Sequence, residues 1–155
     1  MPVFISHKRE DTTEADVCLK RLRMYRVPAY LDVLDNEIEG SPDITEHFLT
    51  QLRKCTHLIA AISANTQRSW WVPFEIGVAS ALEKRICSTS FNAVDQPEYL
   101  SKWPRLNLHS NDDYEKFATA YHKEATAELR GLDAVKASIR NPAQFHAQLK
   151  RALGQ

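Results

Sequence analysis

The chemistry this chain can perform is concentrated in two short segments. Glu75 lies four residues after Trp71 in the run Ser69-Trp70-Trp71-Val72-Pro73-Phe74-Glu75, an interval that puts both side chains on one face of a helix. A carboxylate held in a dry cleft stabilises a positive charge developing in a transition state far better than water does. The second segment is cationic: His7, Lys8 and Arg9 follow directly on the apolar run Val3-Phe4-Ile5-Ser6. Cations at the carboxyl end of a strand suit phosphate oxygens, and an imidazole beside them can stack or hydrogen-bond.

Other chemistries are poorly supported. His57, His109, His122 and His146 are scattered without ligand-like spacing, so neither a metal site nor a Ser-His-Asp arrangement can be built from them, and surface or hydrogen-bonding roles are expected. Cys18, Cys55 and Cys87 are odd in number and contain no C-x-x-C pair, which argues against a disulfide framework and for a reducing cytosol. With four glycines, Gly40, Gly77, Gly131 and Gly154, the chain has no G-x-G-x-x-G and lacks that means of retaining a dinucleotide cofactor. Lys plus Arg and Asp plus Glu both number 20, so no block of charge favours nucleic acid.

The elements that must position these residues follow from patterning. The 155 residues, 43% of them hydrophobic, suit one globular domain, 1–155. Strands are expected at Val3–Ser6 and Ala29–Asp32, and the unbroken apolar run Leu58–Ile62 reads as a strand buried on both faces. A first helix is expected over 12–25, where Asp11 and Glu14 resemble a capping box and Ala15, Cys18, Leu19, Leu22 and Tyr25 recur at helical spacing. Ser41-Pro42 should open a second helix striped by Ile44, Phe48, Leu52 and Cys55. Ser69 should cap a third, with Trp71, Phe74, Val78 and Leu82 along one face and Pro73 tolerated in the first turn.

Beyond Arg85 the pattern is less regular. Ile86–Phe91 and Leu106–Leu108 read as fourth and fifth strands around a loop with Pro97 and Pro104. Ser110 to Asp113 should cap a helix bearing Tyr114, Phe117, Tyr121 and Ala125, and Asn141-Pro142 should open a last one with Phe145, Leu149 and Leu153. Alternating strands and helices imply an α/β fold, a five-stranded parallel sheet with helices on both faces plus extra C-terminal helices. Ligands in such folds sit at the carboxyl ends of the strands. The strand beginning at Val3 leaves no room for a signal peptide, and no apolar stretch reaches the roughly 20 residues of a membrane helix, so a cytoplasmic protein without membrane contact is expected.

Three segments carry a resemblance to TIR domains. Val3-Phe4-Ile5-Ser6-His7-Lys8-Arg9 resembles the family's opening strand and loop. Tyr30-Leu31-Asp32, then a polar loop (Val33 to Ser41) containing Gly40, then Ile44-Thr45, looks like its second strand, BB loop and following helix. Ile62-Ser63 followed by Ser69 to Glu75 is similar to its third strand and W-x-x-x-E motif, here Trp71 and Glu75. The likeness spans about 1–90 and thins after Arg85; 110–155 is a variable helical part. It implies the flavodoxin-like three-layer TIR fold. For the bacterial, NAD-cleaving members it implies cleavage of the nicotinamide–ribose bond of NAD+, with Glu75 catalytic and Ser6, His7, Lys8, Arg9, Asp32 and Trp71 contacting the substrate.

One carboxylate suffices for that reaction, because nicotinamide in NAD+ is already cationic and leaves as a neutral molecule without the protonating acid of ordinary glycosidases. NAD+ is then substrate, with no retained cofactor and no metal. Products range from ADP-ribose to a cyclic isomer or a conjugate. Taken as a complete chain, the protein resembles the stand-alone TIR enzymes of Thoeris-type antiphage defence, whose nucleotide signal acts on a separate effector. Self-association, contact with other TIR domains or a filament is also implied. The main alternative is a non-catalytic TIR–TIR scaffold. A response-regulator receiver would need an aspartate where Ile62-Ser63 stands, and the opening segments match a nucleoside deoxyribosyltransferase less well. Each residue also has an ordinary reading: Glu75 as a solvated helix residue, Trp71 as core, Trp70 as a contact surface, and Lys8, Arg9 and Asp11 as a solvated loop and helix cap.

Overall fold

A computed structural model of the chain describes residues 2–31, 44–91, 94, 96–129 and 141–155. Its strands are β1 (Val3–Ser6), β2 (Ala29–Leu31), β3 (His57–Ile62), β4 (Arg85–Ser90) and β5 (Arg105–Asn107). Its helices are α1 (Thr12–Met24), α2 (Ile44–Lys54), α3 (Trp71–Ala81), α4 (Asn111–Leu129) and α5 (Pro142–Leu153). The strands form a single sheet in the order β2-β1-β3-β4-β5, with every pairing parallel. This is the doubly wound, flavodoxin-like arrangement, in which the chain reverses its winding between the first and third strands.

Side-chain alternation along β1 and β3 divides the core in two. Val3 and Ile5 with Ile59 and Ala61 pack under α1, α4 and α5, joined by Leu22, Tyr114, Phe117, Phe145 and Leu149. Phe4 with Leu58, Ala60 and Ile62 packs under α2 and α3, against Phe48, Leu52, Val72 and Ile76. All of β1 and β3 is buried, as strands covered on both faces must be.

Several local expectations hold with small shifts in boundary. Asn141 caps α5, its Oδ1 accepting from the Ala143 N–H at 3.0 Å. Ser110 accepts from the Asp113 N–H at 3.1 Å and donates to the Asp113 carboxylate at 2.8 Å, closing the start of α4. β4 and β5 each begin one residue earlier than patterning suggests, and a 3-10 turn, Glu98–Lys102, occupies the stretch between Pro97 and Pro104. The second helix's opening at Ser41-Pro42 lies outside the described residues, as do Asp32 and the loop Val33 to Ser41.

The third helix departs from expectation. Its buried residues are Val72, Glu75, Ile76 and Ala79, not the Trp71, Phe74, Val78, Leu82 row; Phe74 and Leu82 are exposed and Trp71 and Val78 half-buried. The helix is apolar on nearly every side, so periodicity cannot choose its inward face, and contact with the sheet decides instead.

Two helices end in the left-handed conformation without glycine. Arg26 has φ 58° and Glu83 φ 53°. The Val27 N–H reaches the Leu22 carbonyl at 3.0 Å, and the Lys84 N–H the Ala79 carbonyl at 2.9 Å, as in Schellman termini. At the sheet edge, the Gln155 side chain accepts from the Arg105 N–H at 2.9 Å and donates to the Arg105 carbonyl at 2.5 Å. The Asn107 N–H donates to Asp113 at 2.8 Å, and the Asn107 carbonyl accepts from the Ser110 N–H at 3.0 Å. No helix among the described residues is long and apolar enough to cross a membrane.

Candidate active site

The winding of the sheet reverses between β1 and β3, and ligands of doubly wound sheets lodge at the carboxyl ends of the strands flanking such a reversal. Ser6, the last residue of β1, lies on the Phe4 face of the sheet and donates its hydroxyl to Glu75 Oε2 on α3. Both residues are 0% exposed. A solvated helix glutamate is therefore excluded for Glu75. A carboxylate so removed from water is costly unless hydrogen-bonded, and Ser6 supplies a donor aimed at one of its two oxygens. Placing Glu75 here requires α3 to begin close to the end of β3. That start is fixed by Ser69, whose Oγ accepts from the N–H groups of Trp71 at 3.2 Å and Val72 at 3.4 Å.

The remaining candidates are distributed unevenly. Trp71 is half-buried, its ring 5.7 Å from Phe48 and 5.2 Å from Phe74, so it builds the α2–α3 aromatic packing one turn before Glu75. His7 lies on the opposite face of the strand from Ser6. It is 6% exposed, with Nε2 3.3 Å from Thr12 Oγ1 and Nδ1 without a hydrogen-bond partner among the described residues. Lys8 is half-buried and pairs with Glu10 at 3.2 Å, while Arg9 is exposed. Asp32 lies outside the described residues. Trp70, expected to be a surface residue, is 93% exposed. The structure thus joins Ser6 directly to Glu75 and sets His7, Lys8 and Arg9 on the loop leaving the same strand.

Asp11 corrects the sequence reading. It precedes α1 as expected of a cap, but its side chain makes no capping bond. It is 3% exposed and turns to the loop after β3, where Ser63 Oγ donates to Oδ2 at 2.5 Å and Asn65 Nδ2 to Oδ1 at 2.7 Å. Ser63 and Asn65 lie 52 and 54 residues further along the chain, so no local spacing could reveal them. The one available hint was polar Ser63 standing directly after an apolar strand.

A second buried polar group sits at the other end of the sheet, where β3 and β4 begin. His57 is 0% exposed within an aromatic surround of Phe117, Tyr121 and Phe145, with Nδ1 2.8 Å from Thr56 Oγ1. Burial, reinforced by the Arg85 charge, holds its pKa well below the usual histidine value. It is therefore neutral at neutral pH, and Glu124, 3.7 Å away, is ion-paired to Arg85 at 3.1 Å instead. His146 accepts the Ile86 N–H on Nε2 at 2.8 Å; burial lowers its pKa to about 4. His122 approaches the Tyr25 carbonyl at 2.9 Å. These histidines have hydrogen-bonding roles remote from Glu75. Burial also pushes the Cys18 thiol up to about 12 and raises Cys55 and Cys87, which removes all three from thiolate chemistry at neutral pH. Among the described residues no His, Cys, Asp and Glu group is placed to hold a metal ion.

Fold and site together define a doubly wound α/β domain with a buried carboxylate at its switch point. Residues 3–121 match the TIR domain family, and the chain belongs to it. The match extends well past Arg85, beyond the three segments in which the resemblance is visible by eye. No curated protein matches the chain in sequence. Among solved structures it is similar to a diflavin flavoprotein A3 from Nostoc sp. at 12% identity and a TM-score of 0.47, covering 99% of this chain and 96% of that one.

Proposed function

We propose that this TIR domain cleaves the nicotinamide–ribose bond of NAD+, with Glu75 as the catalytic carboxylate. The observation that carries the reading is the fully buried Glu75 held by Ser6 at the carboxyl end of β1. In this reaction the C–N bond breaks with its electron pair passing to the nicotinamide nitrogen. That ring loses its charge, and the ribose becomes an oxocarbenium-like cation. A carboxylate fixed in a water-poor site stabilises that cation without having to reorganise, and no protonating acid is required. Lys8 and Arg9, on the loop leaving β1, are suited to the pyrophosphate oxygens. Capture of the ribosyl cation by water gives ADP-ribose and a proton; capture by a hydroxyl or adenine nitrogen of the same molecule gives a cyclic isomer, and capture by another molecule a conjugate. Any of these fits a nucleotide signal read by a separate effector, as in antiphage defence.

The test is nicotinamide release from NAD+ by the purified chain, followed by chromatography across protein concentrations that drive self-association. Glu75→Gln keeps the shape and removes the charge, and should lower the rate by at least about a hundredfold with unchanged circular dichroism. Retention of the wild-type rate in that variant would refute the assignment. A second reading, a non-catalytic TIR–TIR scaffold, is favoured by one observation: Trp70 is 93% and Phe74 39% exposed at the start of α3, an aromatic surface of the kind association uses. That reading requires no turnover in any assembled state.

A further inference from the structure

We infer that Asp11 is a positioning residue for this reaction, setting the cationic loop after β1 at a fixed distance from the helix that carries Glu75. The inference rests on the NAD-cleaving reading of the site. Both carboxylate oxygens of Asp11 are engaged by the loop after β3, by Ser63 at 2.5 Å and Asn65 at 2.7 Å. Charge-assisted bonds of this kind are short and strong. Ser63 is itself held: its Oγ accepts from the N–H groups of Asn65 at 3.0 Å and Thr66 at 3.4 Å. Its own N–H and carbonyl close a ring with Thr66 Oγ1 at 2.9 and 2.8 Å.

From Asp11 the connection runs two ways. Backwards, the Asp11 N–H donates to the Lys8 carbonyl at 2.8 Å, so the carboxylate anchors the turn that presents Lys8 and Arg9. Forwards, Thr66 opens the 3-10 turn Thr66–Arg68, and the Thr66 carbonyl accepts from the Ser69 N–H at 3.0 Å. Ser69 then receives the first N–H groups of α3, one turn before Glu75. A carboxylate whose task was to stabilise α1 would accept from that helix's own first turn. This one is buried, makes no ion pair among the described residues, and is given over to the opposite loop. The substrate spans the two walls, pyrophosphate at one and ribose at the other. A shift of the Lys8–Arg9 wall loosens the hold on the pyrophosphate, so that binding suffers before the chemical step does.

The experiment is a double-mutant cycle on the full chain with Asp11→Asn, Ser63→Ala and the pair, read by nicotinamide release and by calorimetric binding of ADP-ribose, with thermal midpoints recorded alongside. Asp11→Asn should raise KM for NAD+ and weaken ADP-ribose binding by about tenfold or more, with kcat changed far less. Ser63→Ala, which breaks the same contact from the other side, should do the same, and the pair should be no worse than the worse single variant because the two share one interaction. Additive effects, or KM and ADP-ribose affinity at wild-type values in folded Asp11→Asn or Ser63→Ala, overturn the inference. If wild type binds ADP-ribose but releases no nicotinamide, the catalytic reading fails while the binding cycle still decides the role of Asp11. If wild type does not bind ADP-ribose, both fall.

Discussion

Replacing Ser6 by alanine deletes the hydroxyl that donates to the buried Glu75 carboxylate and leaves a void of one oxygen in a fully packed strand end. Both residues are 0% exposed, so bulk solvent does not readily make good the loss. A hydrogen bond to a charged group contributes about 1.5–3 kcal/mol, and one pKa unit corresponds to about 1.4 kcal/mol. Because the hydroxyl favours the ionised form, its removal should move the acid limb of the kcat–pH profile upward. At a pH below both limbs the variant should be slower by about ten- to a hundredfold, and in alkaline solution the gap should narrow as Glu75 ionises again. The assay is initial-rate nicotinamide release between pH 5 and about 9, the range over which buried carboxylates titrate, with Ser6→Cys as a variant retaining a weak donor and Glu75→Gln as the baseline. A rate reduced equally at every pH would mean that Ser6 only packs, and an unchanged profile would separate the hydroxyl from the carboxylate altogether.

Two further outcomes concern stability. His146 must be neutral to accept the Ile86 N–H, with its pKa lowered from 6.5 to about 4 in the folded protein. The unfolded chain therefore binds the proton first, and this contribution is complete above pH 6.5 and lost as pH falls through about 4. At about 1.4 kcal/mol per unit it is at most about 3.5 kcal/mol, less after solvent screening, so urea midpoints should fall across that window and His146→Gln, which keeps an acceptor, should flatten the fall. Glu83→Gly relieves a left-handed non-glycine terminus of α3 and should add up to about 1 kcal/mol, a rise in thermal midpoint of about 2–4 °C; no rise would show that Glu83 bears no strain there.

The order of the first elements was legible because the central strands β1 and β3 of this doubly covered parallel sheet are nearly uninterrupted apolar runs, and the last two helices were legible because Ser110 and Asn141 announce them through their own side chains. The inward face of α3 was not, because Val72, Ile76 and Ala79 and the more exposed Phe74, Val78 and Leu82 are alike in character, and packing against the sheet, which carries Glu75 inward to Ser6, decides between them. The Trp71–Glu75 spacing put the two residues one turn apart but could not show their surroundings: the Trp71 ring is engaged with Phe48 and Phe74, and Glu75 is buried against Ser6. Asp11 was misread for a general reason: an aspartate at the start of a helix satisfies the local rule for a cap, and its competing partners lie in a loop that only the sheet register brings near. His57 and Glu124 were equally hidden, as burial of polar groups at a strand's beginning leaves no periodic trace.

The main-chain groups of Arg105 and Asn107 bear on how copies of this domain can meet. An open sheet border is a template on which another polypeptide can add a strand, the usual route to uncontrolled aggregation. Here the outward amides and carbonyls of β5 are already occupied by Gln155, Asp113 and the Ser110 amide, so strand addition at that border has to displace side chains that mimic a neighbouring strand. Association through helical surfaces such as the start of α3 carries no such penalty. At the β5 border, contact between copies through helices therefore does not compete with strand addition.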